Sequence, residues 1–399
     1  MQNLIFLHII DIICALPTKN VATMDLKEFK SGEYKKQYQY KSFMPSLVDH
    51  DWEISDPSLI SLLSQADMRL GELNAFSELI PDVDFFIMMH VGKEATASSR
   101  IEGTQTNIEE VLQKKEYIDP EKRDDWEEVQ NYIKAMNEAM TALDKLPVSS
   151  RLLLQVHKTL MQGVRGKHKQ SGKFRKSQNW IGGASINDAI FVPPHHTDLP
   201  GLITDLEKFL NNDHGYLPEL VKIAIAHYQF ESIHPFLDGN GRVGRLLITL
   251  YLVSKGILVK PTLYLSDFFE KHKSLYYDNL TRVRTHNDMT QWVKFFLEGV
   301  RQTSENSIQT FRSIITLRKK YEEKIHSLGK KSKLALEFLN YLYRYPMVDS
   351  QIVADSLSID RSTASRLIED FIRLGILREL TGNKRNRVFG FSEYVDLFA

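Results

Sequence analysis

Cysteine is nearly missing: Cys14 is the only one in 399 residues. This excludes an internal disulfide framework and any cysteine-built metal site, and it suits a reducing compartment, so the cytoplasm is the expected location. Net charge is missing too, with 51 Lys and Arg against 51 Asp and Glu. No global field draws the chain to nucleic acid or an anionic membrane, so such a partner would have to be met by a local patch. Beyond the first residues no apolar run approaches the roughly 20 residues of a membrane span. Internal repeats, low-complexity tracts and the G-x-x-x-x-G-K-[ST] phosphate loop are absent as well. The apolar start, Met1 to Ala15, resembles an export signal but lacks a basic leader and carries Asp11. That argues against export and leaves Met1 or Met24 as the true start.

What is present is overwhelmingly helical spacing. Apolar residues recur at three and four in Leu59, Leu62, Leu63, Ala66 and Leu70, and again in Trp126, Val129, Ile133, Met136, Met140 and Leu143. Helical pattern resumes over 151–162, 199–210, 219–233, 242–255, 263–282 and 290–326, with Gly256 as a stop. The fold class expected is mainly α. Between Gly163 and His196 glycines and prolines scatter among polar residues, and Trp180-Ile181 and Ala189-Ile190-Phe191-Val192 flank Asn187-Asp188 as a hairpin would. A long irregular stretch inside a helical body is more often functional than filler.

The divisions expected are an N-terminal segment over 1–49, a helical region over 50–147, a central unit over 148–300, a helical linker over 301–331, whose charged stretch Arg318 to Lys333 reads as solvated helix or linker, and a small separate unit over 332–399. The last has helices at Leu334 to Tyr343, Ser350 to Leu357 and Arg361 to Leu374, then strands at 376–380 and 387–391. That order resembles a winged helix-turn-helix, with Arg361, Arg366, Lys384, Arg385 and Arg387 as candidates for DNA phosphates. Its acidic residues, among them Asp349, Asp355 and Glu369, keep any broad basic face from forming, so partner docking stands beside DNA binding.

The chemistry concentrates in His234-Pro-Phe-Leu-Asp-Gly-Asn-Gly-Arg-Val-Gly-Arg245. Gly239 and Gly241 let the backbone turn tightly and aim N–H groups inward, where a following helix adds its positive end, so phosphate is the expected ligand. Arg242 and Arg245 lie three apart on that helix and suit neighbouring phosphates. Asp238 is a hard oxygen ligand where Mg²⁺ would sit, and His234 is the one group here able to take a proton from a hydroxyl near neutrality. These parts fit phosphoryl or nucleotidyl transfer. A lone Gly-Asn-Gly would be no more than a turn; the whole run is far more specific.

The run resembles the Fic signature H-x-F-x-[DE]-G-N-G-R-x-x-R, met at His234, Phe236, Asp238, Gly239, Asn240, Gly241, Arg242 and Arg245. The resemblance implies a helical core with a β-hairpin flap and the transfer of AMP from ATP to Ser, Thr or Tyr hydroxyls of a protein. It makes His234 the base, Phe236 the loop's anchor, Asp238 the Mg²⁺ ligand, Asn240 and the loop amides the α-phosphate site, Arg242 the β-phosphate ligand and Arg245 the γ-phosphate ligand. Val243 and Gly244 fall inside the same ATP-binding run. Tyr276 and Tyr277 fall where the family lines its adenine pocket, with Tyr277 preferred. Gly-Asn-Gly is what AMP-transferring members carry, whereas the kinase-like Doc branch departs there. The hairpin near Asn187-Asp188 falls where the family places a flap that pairs with the target's backbone. His195-His196, with no carboxylate beside it, reads as solvent-facing loop rather than a metal pair.

Ser98-Ser99-Arg100-Ile101-Glu102-Gly103 resembles the inhibitory motif [ST]-x-x-x-E-[GN] of one Fic class. A bidentate Glu102–Arg245 pair would occupy the γ-phosphate ligand, which puts Ser98, Glu102 and Gly103 in an inhibitory set and Glu102 at the ATP site. Two other readings stay open: a nucleotide-sensing DNA-binding regulator, and an enzyme that removes AMP or transfers another phosphate-bearing group. The expected partners are ATP, an unidentified protein target that includes the chain itself as an option, and a second copy in a homodimer, with no membrane.

Overall fold

A helix that is apolar on every side belongs in the middle of a protein, and Glu219–Ile233 is that helix, buried at every residue from Leu220 to Ile233. The computed structural model describes residues 23–79, 83–163, 170–212, 217–382 and 387–398. The apolar start with Cys14, and the candidate phosphate contacts Lys384 and Arg385, lie outside these.

In chain order the helices are α1 (Pro57–Leu79), α2 (Val83–Ile101), α3 (Ile108–Val111), α4 (Arg123–Leu143), α5 (Ser150–Leu160), α6 (Leu199–Asn211), α7 (Glu219–Ile233), α8 (Asn240–Ser254), α9 (Ser266–Lys271), α10 (Lys273–His286), α11 (Met289–His326), α12 (Ser332–Arg344), α13 (Ser350–Leu357), α14 (Arg361–Arg373) and α15 (Ser392–Val395). Many starts are written locally. Ser149, Asp288, Asp349 and Asp360 each accept a first-turn N–H with the side chain, satisfying a donor that the helix itself leaves over. Around α7 lie α6, α8 and α11, and Trp292 donates its ring N–H to the Ala224 carbonyl at 2.8 Å.

Three expectations change. The segment before residue 50 carries structure: β2 (Gly32–Lys36) and β3 (Lys41–Pro45) form an antiparallel hairpin, and β1 (Met24–Asp25) pairs with β4 (Trp52–Glu53) in parallel. The helix expected over 290–326 is α11, but its charged end from Arg318, expected as solvated helix or linker, still buries Tyr321 and Ile325 in the stripe begun by Ile308, Phe311, Ile314 and Leu317. Its charged face misled; the apolar stripe beneath it at three-and-four spacing was the stronger signal. The segment 263–282 breaks into two helices at His272.

The C-terminal residues form α12, α13 and α14 with a three-stranded sheet in the order β5 (Met347–Val348), β7 (Phe389–Gly390), β6 (Arg378–Glu379). The unit is not set apart from the rest. Tyr321 of α11 donates to the Gly375 carbonyl at 3.1 Å, Lys114 meets Asp349 at 3.4 Å, and the Phe398 ring lies edge-on to His90 of α2 at 5.0 Å. Arg387 is paired with Glu379, so one of the candidate phosphate contacts is already committed. Among the described residues no helix is long and apolar enough to cross a membrane.

Candidate active site

Proline forces the geometry of the site's first residue. Pro235 disfavours the right-handed helical conformation at His234, so α7 ends there and His234 turns left-handed at φ 49°. Such a conformation costs a non-glycine residue about 1–2 kcal/mol. Two buried donors offset it: Arg175 gives its Nε–H to the His234 carbonyl at 2.9 Å, and Asn179 reaches the same oxygen at 3.3 Å. Arg175 also holds the Pro194 carbonyl at 2.6 Å, tying the strand leaving the flap to the end of α7. Burial pulls the Arg175 guanidinium down to about 10, so it remains charged at neutral pH.

The loop to α8 is stapled at its centre. Phe236 is wholly buried, and its ring stacks on His157 at 3.9 Å. The Asn240 side chain clamps the Phe236 backbone, accepting its N–H and donating to its carbonyl, both at 2.8 Å. This differs from the expected phosphate role: the Asn240 side chain holds the loop in shape, and what it can offer a phosphate is its backbone N–H. His157 accepts the Gly172 N–H at Nδ1, 2.9 Å, and its Nε2 lies 3.1 Å from the Asp238 carbonyl, which sets the Nε2–H tautomer. Burial holds its pKa near 4, so it stays neutral. We predict that Phe236→Ala, which empties a packed cavity, lowers stability by about 3–5 kcal/mol in urea titration.

Gly239 caps α8 at φ 78°, where a side chain would be strained, and α8 starts at Asn240 rather than Arg242. The first three helical residues, Asn240, Gly241 and Arg242, therefore present N–H groups without intrahelical partners, a ready anion site. Val243 and Gly244, expected in the ATP-binding run, lie in the packed part of α8. The Val243 N–H bonds the Gly239 carbonyl and its side chain is buried, while the open face of Gly244 meets Glu231 and Phe230 of α7. Asp238 stands at the rim, its Oδ1 accepting the Gly239 N–H at 2.6 Å and lying 3.8 Å from Arg242. Arg242, almost fully buried, meets Glu128 of α4 at 3.2 Å.

Arg245 is the meeting point. Its Nε–H goes to Ser98 Oγ at 2.9 Å, while Nη2 donates to the Ser98 carbonyl at 2.9 Å and to Glu102 Oε1 at 2.7 Å. The expected bidentate carboxylate pair is replaced by one carboxylate contact and two contacts to the last turn of α2. The cause is positional. Glu102 leaves just after α2 ends, so one oxygen reaches the guanidinium, and the cation also caps the negative end of the helix. Burial pushes the Glu102 carboxyl up, but the Arg245 guanidinium outweighs this and holds it below the usual range. Gly103, at φ 106°, allows the chain to turn away at once. Gly241 is needed for the same contact, since a Cβ there would fall 2.2 Å from Glu102 Oε1. On α2, Glu94 anchors the helix, accepting from Tyr132 at 3.0 Å and from the Ser266 N–H at 3.1 Å.

Burial, aided by Arg175, pulls the His234 imidazole down to about 4, and its side chain is 17% exposed. Glu231 lies one turn before it, 3.9 Å from Nδ1, with burial raising its carboxyl to about 7. Tyr276 is core, bonded through its hydroxyl to His227 at 2.8 Å, whereas Tyr277 is 40% exposed. The flap closes as a single bridge, Ile181 to Phe191, around a turn in which Asp188 accepts the Ala184 and Ser185 N–H groups at 2.9 and 2.8 Å. His195 and His196 are half-buried rather than solvent-facing, His195 bonding Thr197 at 2.8 Å. Sequence reasoning missed Arg175, His157, Asn179, Glu94 and Glu128, which act through backbone or through other side chains and follow no spaced motif.

Residues 60–141 match the Fic/DOC family N-terminal model, and residues 147–252 match the Fic/DOC family model. The chain thus carries a region like the Fic/DOC N-terminal segment followed by one like the Fic/DOC domain, together a little under half of its length. Relatives named protein adenylyltransferase Fic include one from Aedes aegypti, 34% identical over 152 residues, which are 38% of this chain and 27% of that protein. Another, from Drosophila erecta, is 28% identical over 202 residues, 50% of this chain and 38% of that one. The matched stretch thus spans well under half the length of these relatives. A Fic family protein from Desulfovibrio desulfuricans shares the fold with a TM-score of 0.54 at 22% identity, covering 84% of this chain and 96% of that one. A Fic domain containing signaling protein from Bacteroides thetaiotaomicron gives 0.51 at 18% identity, covering 63% and 97%.

Proposed function

We propose that this chain transfers AMP from ATP to a Ser, Thr or Tyr hydroxyl of a protein and that Glu102 restrains the reaction. The observation that carries this reading is Arg245: one buried cation at the anion-binding start of α8, already held by a carboxylate from the end of α2. In the reaction, neutral His234 takes the proton of the target hydroxyl as the oxygen bonds the α-phosphorus; the bond to the β-phosphate oxygen breaks and diphosphate leaves. First-turn amides of α8 cradle the α-phosphate, Arg242 and Arg245 take the β- and γ-phosphates, and Tyr277 borders the adenine.

Mg²⁺ fits the donor set. The Asp238 side chain is 42% exposed beside the loop amides, and Mg²⁺ is commonly held by one carboxylate together with substrate phosphates. Bound there, it would neutralise phosphate charge. Because Arg242 meets Glu128 and Arg245 meets Glu102, both cations must change partner for productive ATP binding. The intact base favours a catalyst over a nucleotide sensor, since a sensor needs no proton acceptor. Reversal of the modification through Glu102 is a second reading, supported by that carboxyl's place next to the phosphate site. The C-terminal unit is proposed as a docking module or DNA contact, and the cytoplasm as the location.

Intact-mass measurement of the Glu102→Gly protein after incubation with ATP and Mg²⁺ tests the reaction class. Adducts of one AMP on the protein or on an added acceptor are expected. Phosphate adducts alone would contradict the reading.

A further inference from the structure

The hairpin formed by β2 and β3 continues into the flap. The Phe43 N–H donates to the Val192 carbonyl at 2.9 Å, and the fully buried Phe43 ring lies 5.9 Å from the Phe191 ring. Further along, the Tyr40 hydroxyl reaches Gln178 at 3.3 Å. Next to this joint the flap leaves apolar side chains in solvent, Ile190 at 78% and Trp180 at 42% exposed.

The hairpin's register places like charges opposite one another. Lys36 pairs with Lys41, on the same face as the Tyr34–Phe43 pair and therefore on the face whose Phe43 meets the flap. Directly opposed like charges weaken a hairpin. Neither lysine has an ion-pair partner among the described residues, and the one acid of the hairpin strands, Glu33, points to the other face. The tip beyond them, Tyr38, is 96% exposed. In a chain whose formal charge is zero, two unpaired facing lysines beside the flap form a local field. A negative group between them would remove the repulsion and gain from both.

We propose that the Lys36–Lys41 hairpin and the flap form one docking surface, and that its occupant is an acidic segment of the protein to be modified. The inference rests on the AMP-transfer reading for the word "modified" but not for the binding itself. The flap supplies backbone pairing and apolar contact, which are indifferent to sequence; the lysine pair supplies the preference. An acidic peptide suits the surface better than nucleic acid does, because exposed apolar flap residues adjoin the charge.

The test uses the full chain without nucleotide and the fluorescence anisotropy of a labelled glutamate–tyrosine copolymer. A lysine–tyrosine copolymer and single-stranded oligothymidylate serve as alternatives. The acidic copolymer should bind, weaken steeply with added salt and lose about thirtyfold in affinity in Lys36→Glu/Lys41→Glu, as the loss of two contacts of about 1 kcal/mol each implies. The distant reversal Lys319→Glu/Lys333→Glu should bind like the parent, and thermal melting confirms that both variants fold. Equal affinity in the Lys36/Lys41 variant, or tighter binding of oligothymidylate, would overturn the proposal. Labelling of the copolymer from ATP in the Glu102→Gly background is read separately: binding without labelling counts against AMP transfer, whereas self-labelling without copolymer binding counts against the surface.

Discussion

Glu102→Gly should raise AMP transfer by about ten- to a hundredfold over the unaltered chain. The size of the effect follows from the contact that is lost. Glu102 Oε1 takes one charge-assisted bond from a guanidinium whose side chain is 2% exposed, and such a bond contributes about 1.5–3 kcal/mol, each 1.4 kcal/mol being a factor of ten. Arg245 keeps its two bonds to Ser98, so it stays in place to meet a phosphate. Removing the carboxylate leaves that cation under-neutralised, so the variant should also melt earlier than the parent and be stabilised more by ATP. Initial rates at saturating ATP, with melting curves in parallel, check both outcomes. An unchanged rate would remove Glu102 from the regulation of the site.

His234→Ala, made in the Glu102→Gly background, should lower the rate by about 10²–10⁴, the usual contribution of a positioned base. The same residue fixes the pH dependence. Its imidazole is held near 4, below its ordinary value, by burial and by Arg175. A base with a depressed pKa is already neutral at and above pH 5, so the rate should stay flat from pH 8 to pH 6 and fall only as pH approaches 4. Glu102 raises that pKa, so its loss moves the acid limb lower, not higher. A limb centred near 6.5, the ordinary imidazole value, would mean that His234 is solvated in the working enzyme.

The geometry of the signature run was legible because it is local: one helix end, one tight turn and one helix start bring His234, open backbone amides and two arginines together within a dozen residues. Glu102 was legible as a motif, yet its single contact was not, since the number of oxygens that reach Arg245 depends on where α2 ends. Asn240 shows the opposite limit. Its place in the run suggested a ligand, but a buried amide one loop away from Phe236 finds the backbone first. Arg175 and His157 stayed hidden because their partners are carbonyls, which carry no residue identity. The β2–β3 hairpin was missed for a simpler reason, its short strands being rich in lysine and poor in the alternation that marks a half-buried strand. Helix α11 was legible from its spacing, and only its charged end from Arg318 was read as solvated although its buried stripe runs on through Ile325.

The central claim is a gated AMP transfer at Arg245. The most direct test incubates the unaltered chain and Glu102→Gly side by side with ATP labelled at the α- or the γ-phosphate. Protein label is expected from the α-form only, strong in Glu102→Gly and weak in the unaltered chain. Label from the γ-form only, or equal α-label in the two proteins, would contradict that claim.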